Sequence, residues 1–181
     1  MNFGESLTIQ SYRSPDKIAI EDDTKSITYR QLNARVNSLV YGFKEVGLRK
    51  GDIVCLIGKL GSGKTVLTKG IAAGLGIKKE KIISPTFVLI RQYYSRIPLY
   101  HFDLYRLAAP KDILVLGYEE YLYDEGVTVI EWANRLKYLL PEEYLKIELL
   151  ITGDKLRLLE LNAFGKHYKE SLKKIYEDIR H

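Results

Sequence analysis

Residues 53–65 read IVCLIGKLGSGKT, and this stretch decides the fold. Its first five residues are apolar and predict a buried β-strand, and the helical spacing of apolar residues over 66–75 predicts a helix directly after it. Between the two, residues 58–65 match the pattern G-x-x-x-x-G-K-[ST] in full. A strand, a glycine loop and a helix in this order predict a phosphate-binding α/β fold.

The residue types of the loop indicate its chemistry. With little side-chain bulk, successive backbone N–H groups can wrap a polyphosphate at the positive end of the following helix. Lys64 would place a charge on the outer phosphates, and the Thr65 hydroxyl would ligate Mg²⁺. The loop residues predicted to contact a nucleotide are Gly58, Gly61, Ser62, Gly63, Lys64, Thr65 and Val66.

Length and composition are typical of a globular chain. The 181 residues with 46% hydrophobic content predict one domain over 1–181. The chain has neither an apolar run of about 18 residues nor a basic-then-apolar start, so we expect no membrane span and a cytoplasmic location. Cys55, the single cysteine, lies in the apolar strand and is expected in the core. A net charge of +5 is a weak indication of a polyanionic partner.

The first fifty residues predict a hairpin followed by a helix. The stretches KIAI at 17–20 and SITY at 26–29 flank the polar Asp22-Asp23-Thr24, as in a β-hairpin. Apolar residues at three- and four-residue steps then predict a helix over 28–46 that ends at Gly47.

The remainder predicts the rest of a sheet and its helices. Residues 87–94 with 99–104, and 145–151 with 156–161, read as antiparallel pairs, and 127–130 reads as a buried central strand. Short helices are predicted from Pro110 and over 118–123, and a basic amphipathic helix over 166–181. Together these elements predict a P-loop NTPase-like three-layer α/β fold with a mixed, mainly parallel central sheet plus antiparallel hairpins.

Two carboxylates follow apolar strands. Asp103 comes after 99–102 and Glu131 after 127–130, and either one would hold the Mg²⁺ shell or polarise an attacking water. Thr86 lies on a loop after the phosphate-binding helix, where a hydroxyl can sense the outer phosphate and the metal. The predicted catalytic residues are Glu131, Asp103, Thr86 and Lys64, and the predicted metal ligands are Thr65, Glu131 and Asp103.

Other residues near these motifs leave two interpretations open. Trp132 follows Glu131 and either lines the site or fills space. Arg106 and Arg135 either approach phosphates or are ordinary surface arginines. His101 lacks metal-ligand spacing and is predicted to be a strand residue with a satisfied hydrogen bond.

From Gly51 onward the chain resembles the bacterial TsaE family, the small ATPases of tRNA threonylcarbamoyladenosine biosynthesis. The matching stretches are LGSGKT at 60–65, ISPTF at 83–87, LYHFDLYRL at 99–107, LGYEEYL at 116–122 and GVTVIEW at 126–132. The resemblance implies a nucleotide-binding core over 51–165, ahead of the basic helix. It also implies phosphate and Mg²⁺ binding by Lys64 and Thr65, a switch role for Thr86, and catalytic roles for Asp103 and Glu131 beside Trp132.

The resemblance further implies partners. Two other proteins of the pathway would work with this chain, and one of them transfers threonylcarbamoyl to adenosine 37 of tRNA, so contact with tRNA would be indirect. ATP hydrolysis would then drive conformational cycling of that complex rather than supply the transferred group.

The front of the chain departs from that pattern. Residues 15–57 resemble the N-terminal end of adenylate-forming enzymes, with a join near Gly51-Asp52, which suggests a chimera. The Ser/Thr/Gly-rich phosphate motif and the catalytic lysine domain of those enzymes are missing, so no ligase activity is expected.

The sequence is compatible with three functions. ATP is favoured over GTP because no N-K-x-D-type element follows the strands. Slow ATP hydrolysis is the preferred interpretation. The alternatives are a nucleotide-dependent binding or switch module without activity of its own, and a small-molecule kinase, for which no Arg-rich lid is seen.

Overall fold

The computed structural model describes residues 12–21, 26–28, 48–153 and 157–180. Apart from its first residue, the helix predicted over 28–46 lies outside the described residues. The predicted N-terminal hairpin is confirmed, because β1 (Ile18–Glu21) and β2 (Ser26–Thr28) pair antiparallel in a two-stranded sheet.

A six-stranded sheet forms the centre of the protein. Its strands are β3 (Ile53–Gly58), β4 (Ile90–Tyr93), β5 (Leu99–Asp103), β6 (Val127–Glu131), β7 (Tyr144–Ile151) and β8 (Arg157–Phe164). In space their order is β4-β5-β6-β3-β7-β8. The α-helices within the described ranges are α1 (Lys64–Gly74), α2 (Pro110–Leu114), α3 (Tyr118–Leu122) and α4 (Lys166–Arg180).

The sheet is mixed, as predicted. β5, β6, β3 and β7 run parallel, whereas β4 and β8 add antiparallel edges through hairpins with β5 and β7. The carboxyl ends of the four parallel strands therefore lie at one edge, where α/β sheets place their ligand sites.

Helices cover both faces of the sheet, which gives three layers. Val54 and Leu56 of β3 pack in a cluster with Ile71 of α1 and Tyr168 of α4. The alternate residues Ile53 and Cys55 pack in a second cluster with residues of α2 and α3. The alternation follows from the two-residue period of a strand, and it confirms both the predicted strand and the buried position of Cys55, which is 0% exposed.

The first downstream hairpin differs from the prediction at its start. Its leading strand begins at Ile90 rather than at residue 87, because the chain turns over 85–89. The amides of Val88 and Leu89 both donate to the Pro85 carbonyl, at 2.9 and 2.6 Å, and Leu89 has a φ of 67°. The turn leaves Phe87 81% exposed.

The remaining elements match their predictions closely. The β7–β8 hairpin, the two short helices and the C-terminal helix are all present. The C-terminal helix joins the core through Tyr168, whose hydroxyl accepts a hydrogen bond from the Ile53 amide at 2.7 Å. Within the described ranges, no helix combines the length and apolar character needed to cross a membrane.

Candidate functional site

The glycine loop connects β3 to α1 at the carboxyl edge of the sheet. Gly61 and Gly63 have φ values of 75° and 106°, and Gly63 is the N-cap of α1. This left-handed backbone favours glycine because it has no Cβ. At Gly58 a Cβ would lie 2.6 Å from the Leu149 carbonyl of β7. A side chain would therefore strain the backbone at Gly61 and Gly63 and would clash with β7 at Gly58.

Lys64 is the first residue of α1 and is 4% exposed. Its ammonium donates to the carbonyls of Gly58 at 2.8 Å and Lys59 at 2.9 Å. It also lies 3.9 Å from the centre of the Trp132 ring. Burial lowers the pKa of Lys64, whereas the negative charges of Glu131 and Asp103 raise it.

Glu131, the last residue of β6, is 2% exposed and accepts hydrogen bonds from three side chains of the described residues. Thr65 Oγ1 lies 2.9 Å from Glu131 Oε2. Thr68 Oγ1 and His101 Nε2 lie 3.2 and 2.8 Å from Oε1. The carboxylate thus links β6 to α1 and to β5.

Asp103, the last residue of β5, binds the loop that carries Thr86. Its Oδ2 accepts from the hydroxyls of Ser84 at 2.6 Å and Thr86 at 2.5 Å, and its Oδ1 accepts from the Tyr105 amide at 3.0 Å. Asp103 and Glu131 are directly paired in the β5–β6 register. Both predicted carboxylates therefore lie on adjacent strands at the same edge.

Trp132 lies beside the loop. Its φ of 61° turns the chain sharply after β6, so that the indole packs on the Lys64 ammonium and on the Tyr105 ring, whose centre is 5.0 Å away. Trp132 also lines a cavity of about 560 Å³ together with Lys59, Asn134 and Glu148. Trp132 thus lies against the glycine loop, and its contact with a nucleotide stays a prediction.

The two arginines near the motifs, Arg106 and Arg135, differ in their surroundings. The guanidinium carbon of Arg106 lies 4.1 Å from the centre of the exposed Phe87 ring, in a cation–π contact. In the described part of the chain, Arg135 Nε is buried and lacks a hydrogen-bond partner.

Three residues that contact the site were not singled out from the sequence. Arg157 of β8 donates to the carbonyls of Ser62 and Gly61, each at 3.3 Å, and its position almost a hundred residues from the loop gives no local signal. Thr68 follows Thr65 by three residues on one helix, a spacing that places both on one face and that could have identified it. Ser84 lies in the stretch ISPTF, two residues before Thr86.

The family model "Threonylcarbamoyl adenosine biosynthesis protein TsaE" matches residues 23–158. The chain belongs to the TsaE family. This family acts in tRNA threonylcarbamoyladenosine biosynthesis. The match begins within the segment 15–57, for which the sequence resembles adenylate-forming enzymes, and a chimeric origin of that segment stays a prediction.

Individual relatives agree with the family assignment. The TsaE of Bacillus subtilis is 36% identical over 146 residues, which is 80% of this chain and 90% of that protein. The TsaE of Treponema pallidum is 47% identical over 107 residues, which is 59% of this chain and 78% of the relative. The crystal structure of Bacillus subtilis YdiB aligns with a TM-score of 0.65 and 33% identity, over 78% of this chain and 87% of that one. The likeness supports the P-loop NTPase-type fold.

Proposed function

We propose that this TsaE family protein binds ATP with Mg²⁺ and hydrolyses it slowly by in-line attack of water. The activity would support tRNA threonylcarbamoyladenosine formation together with the other proteins of that pathway, in the cytoplasm. The observation that carries the proposal is the convergence of Lys64, Thr65, Asp103 and Glu131 at the carboxyl edge of the sheet, around the glycine loop.

Binding would rest on the loop and its lysine. The loop backbone from Gly58 to Thr65 and the N-terminus of α1 offer N–H groups to phosphate oxygens. The Lys64 ammonium is held between two loop carbonyls at 2.8 and 2.9 Å, so it already lies at the loop. A phosphate oxygen would compete with these carbonyls for the ammonium protons.

The oxygen atoms present fit Mg²⁺. Within the described residues, no group of three or more His, Cys, Asp or Glu side chains is placed to hold a metal on its own. Mg²⁺ in nucleotide sites typically takes one or two carboxylates and completes its shell with phosphate and water oxygens. Thr65, Asp103 and Glu131 would supply this hydroxyl and these carboxylates. When bound, the ion neutralises charge on the phosphates.

Hydrolysis would use the two carboxylates and the Thr86 loop. Glu131 would orient the attacking water and accept its hydrogen bond, because its three protein partners hold the carboxylate in one orientation. Thr86 would contact the outer phosphate, and this contact would change the conformation of its loop, which also carries the exposed Phe87.

A switch module with no turnover of its own is the second candidate. One observation favours it: the hydroxyls of Thr65 and Thr86 are both already hydrogen-bonded to carboxylates, at 2.9 and 2.5 Å. A hydroxyl that ligates Mg²⁺ through its oxygen can keep such a bond, but one that is to donate to a phosphate oxygen must first give it up, as in a site that changes state on binding.

Calorimetric titration of the full chain with ATP, ADP and GTP in Mg²⁺, followed by phosphate-release kinetics, tests the proposal. We expect saturable binding that prefers ATP, together with slow turnover. Binding without turnover, unless the pathway's partner proteins are added, would select the switch module. Absence of binding to all three nucleotides would overturn both.

The effect of the N-terminal segment on nucleotide binding has its own test. A variant that carries the matching segment of the Bacillus subtilis relative in place of 15–50 should keep the nucleotide affinity of the original chain. A large gain in affinity would show that the present segment disturbs recognition of the base.

A further inference from the structure

His101 lies in the middle of β5 and is completely buried, with 0% exposure. Its Nε2 is 2.8 Å from Glu131 Oε1. Its other ring nitrogen, Nδ1, is buried and finds no partner among the described residues. The imidazole therefore makes one polar contact, and that contact is with the carboxylate at the centre of the proposed site.

This asymmetry fixes the tautomer of the ring. An ionised carboxylate only accepts hydrogen bonds, so Nε2 must carry the hydrogen that points at Glu131. Nδ1, in contrast, has no acceptor among the described residues to which an N–H could donate. His101 therefore donates from Nε2 to Glu131.

The other donors to Glu131 cannot replace His101. Thr65 donates to Oε2, on the opposite side of the carboxylate. Thr68 is near Oε1 at 3.2 Å, but its single hydroxyl hydrogen is also within reach of the Lys64 carbonyl at 3.1 Å. His101 is thus the donor committed to Oε1, and it leaves Oε2 to face Thr65 and the loop.

We propose that His101 is the positioning residue for Glu131, which it holds through the Nε2–Oε1 hydrogen bond so that Oε2 is presented to the reaction site. The inference deepens the proposed function, since it assigns a partner to the carboxylate on which hydrolysis would depend. Removing a residue that orients a ligating or catalytic group through a hydrogen bond commonly lowers activity by about 10- to 100-fold.

A matched pair of substitutions separates hydrogen bonding from packing. In His101→Gln the amide nitrogen can reach the place of Nε2 and donate to Glu131. In His101→Met a side chain of similar length and volume cannot donate. We expect His101→Met to lower kcat at least about tenfold with KM for ATP changed by less than about twofold, and His101→Gln to restore most of kcat.

The tautomer gives a second measurement that needs no nucleotide. Proton–nitrogen correlation NMR of the wild-type chain, which has 3 histidines, should show one ring protonated at Nε2 and bare at Nδ1. That signal should vanish in His101→Gln.

The outcomes distinguish this inference from the function on which it rests. If the wild-type chain does not hydrolyse ATP, the proposed hydrolysis fails. The NMR tautomer alone then tests whether His101 donates from Nε2 to Glu131. If the wild type turns over ATP but His101→Met matches it, or both variants lose equal activity, the positioning role is overturned. A ring protonated at Nδ1 would overturn it as well.

Discussion

Thr65 Oγ1 and Glu131 Oε2 are 2.9 Å apart, although 66 positions separate the two residues in the chain. The contact exists because β3 and β6 pair in parallel, with Leu56 opposite Glu131, while Thr65 lies in the first turn of the helix after β3. A residue proposed to bind Mg²⁺ and a residue proposed to orient water therefore share one hydrogen bond, so a change at either should affect the other.

Replacement of Lys64 by alanine should weaken nucleotide binding. The ammonium is the buried cation at the loop, so its loss removes the charge proposed to meet the outer phosphates. We expect at least about a tenfold rise in the Kd for ATP by calorimetry, or about 1.4 kcal/mol. Lys69→Ala, on the same helix, serves as the control and should bind normally. Equal affinity of Lys64→Ala and wild type would remove Lys64 from the site.

Replacement of Glu131 by glutamine should mainly lower turnover. Glutamine keeps the size of the side chain but cannot accept a proton, so ATP binding should persist while kcat falls about 100-fold or more. Single-turnover phosphate release measures this directly. Glu160→Gln on β8 is the matched control at an exposed carboxylate. A normal kcat in Glu131→Gln would assign the water to another residue.

Replacement of Arg157 by lysine should loosen the glycine loop. The guanidinium reaches the carbonyls of Gly61, Ser62 and Gly153 at 3.1–3.3 Å, and an ammonium keeps the charge but not this planar fork of donors. We expect a threefold to tenfold loss of ATP affinity, on the order of 1 kcal/mol, with little change in kcat. Arg91→Lys on β4 controls for the substitution itself. Unchanged affinity would show that the loop keeps its conformation without Arg157.

Alanine at Gly58 should destabilise the fold more than alanine at Gly76. Both glycines have positive φ, 153° and 78°, but only at Gly58 does the added Cβ meet the Leu149 carbonyl, at 2.6 Å. We expect backbone strain at Gly76 to lower the free energy of unfolding by about 1–2 kcal/mol. At Gly58 the clash should lower it by about 1–3 kcal/mol more. Urea unfolding of the two variants compares them. Similar losses in both would mean that β7 shifts to accept the methyl group.

Unfolding stability should fall as the pH rises above 9. Burial raises the pKa of the Cys55 thiol above its ordinary value of 9.0, so the folded chain keeps a proton that the unfolded chain loses. A raised folded-state pKa contributes stability that is present below pH 9 and lost as the pH rises. At pH 10 the loss in the free energy of unfolding should be about 1.4 kcal/mol.

Urea unfolding at pH 7 and pH 10 measures this loss, and Cys55→Ala should show a loss that is smaller by that amount. The tyrosines remain in both proteins, including Tyr168, whose pKa burial also raises, so the difference isolates the thiol. Identical pH dependence in the two proteins would mean that Cys55 does not titrate on unfolding.

The local elements could be predicted from the sequence because each depends on neighbouring residues. The apolar run before the glycine loop, the turn residues of the hairpins and the amphipathic pattern after Gly165 act over one to four positions. The misplaced start of β4 shows the limit. Phe87 and Val88 have strand-like side chains, but the turn at Pro85 removes them from the sheet.

Local sequence patterns were enough to predict the phosphate loop, the strand–loop–helix unit around it and the two carboxylates at strand ends. The contacts among these groups follow from the tertiary structure alone. It placed His101 and Thr68 on Glu131, Ser84 and Thr86 on Asp103, and Arg157 on the loop backbone. The physical reason is strand order: β3 lies between β6 and β7, so the parallel sheet brings together residues that are far apart in the chain.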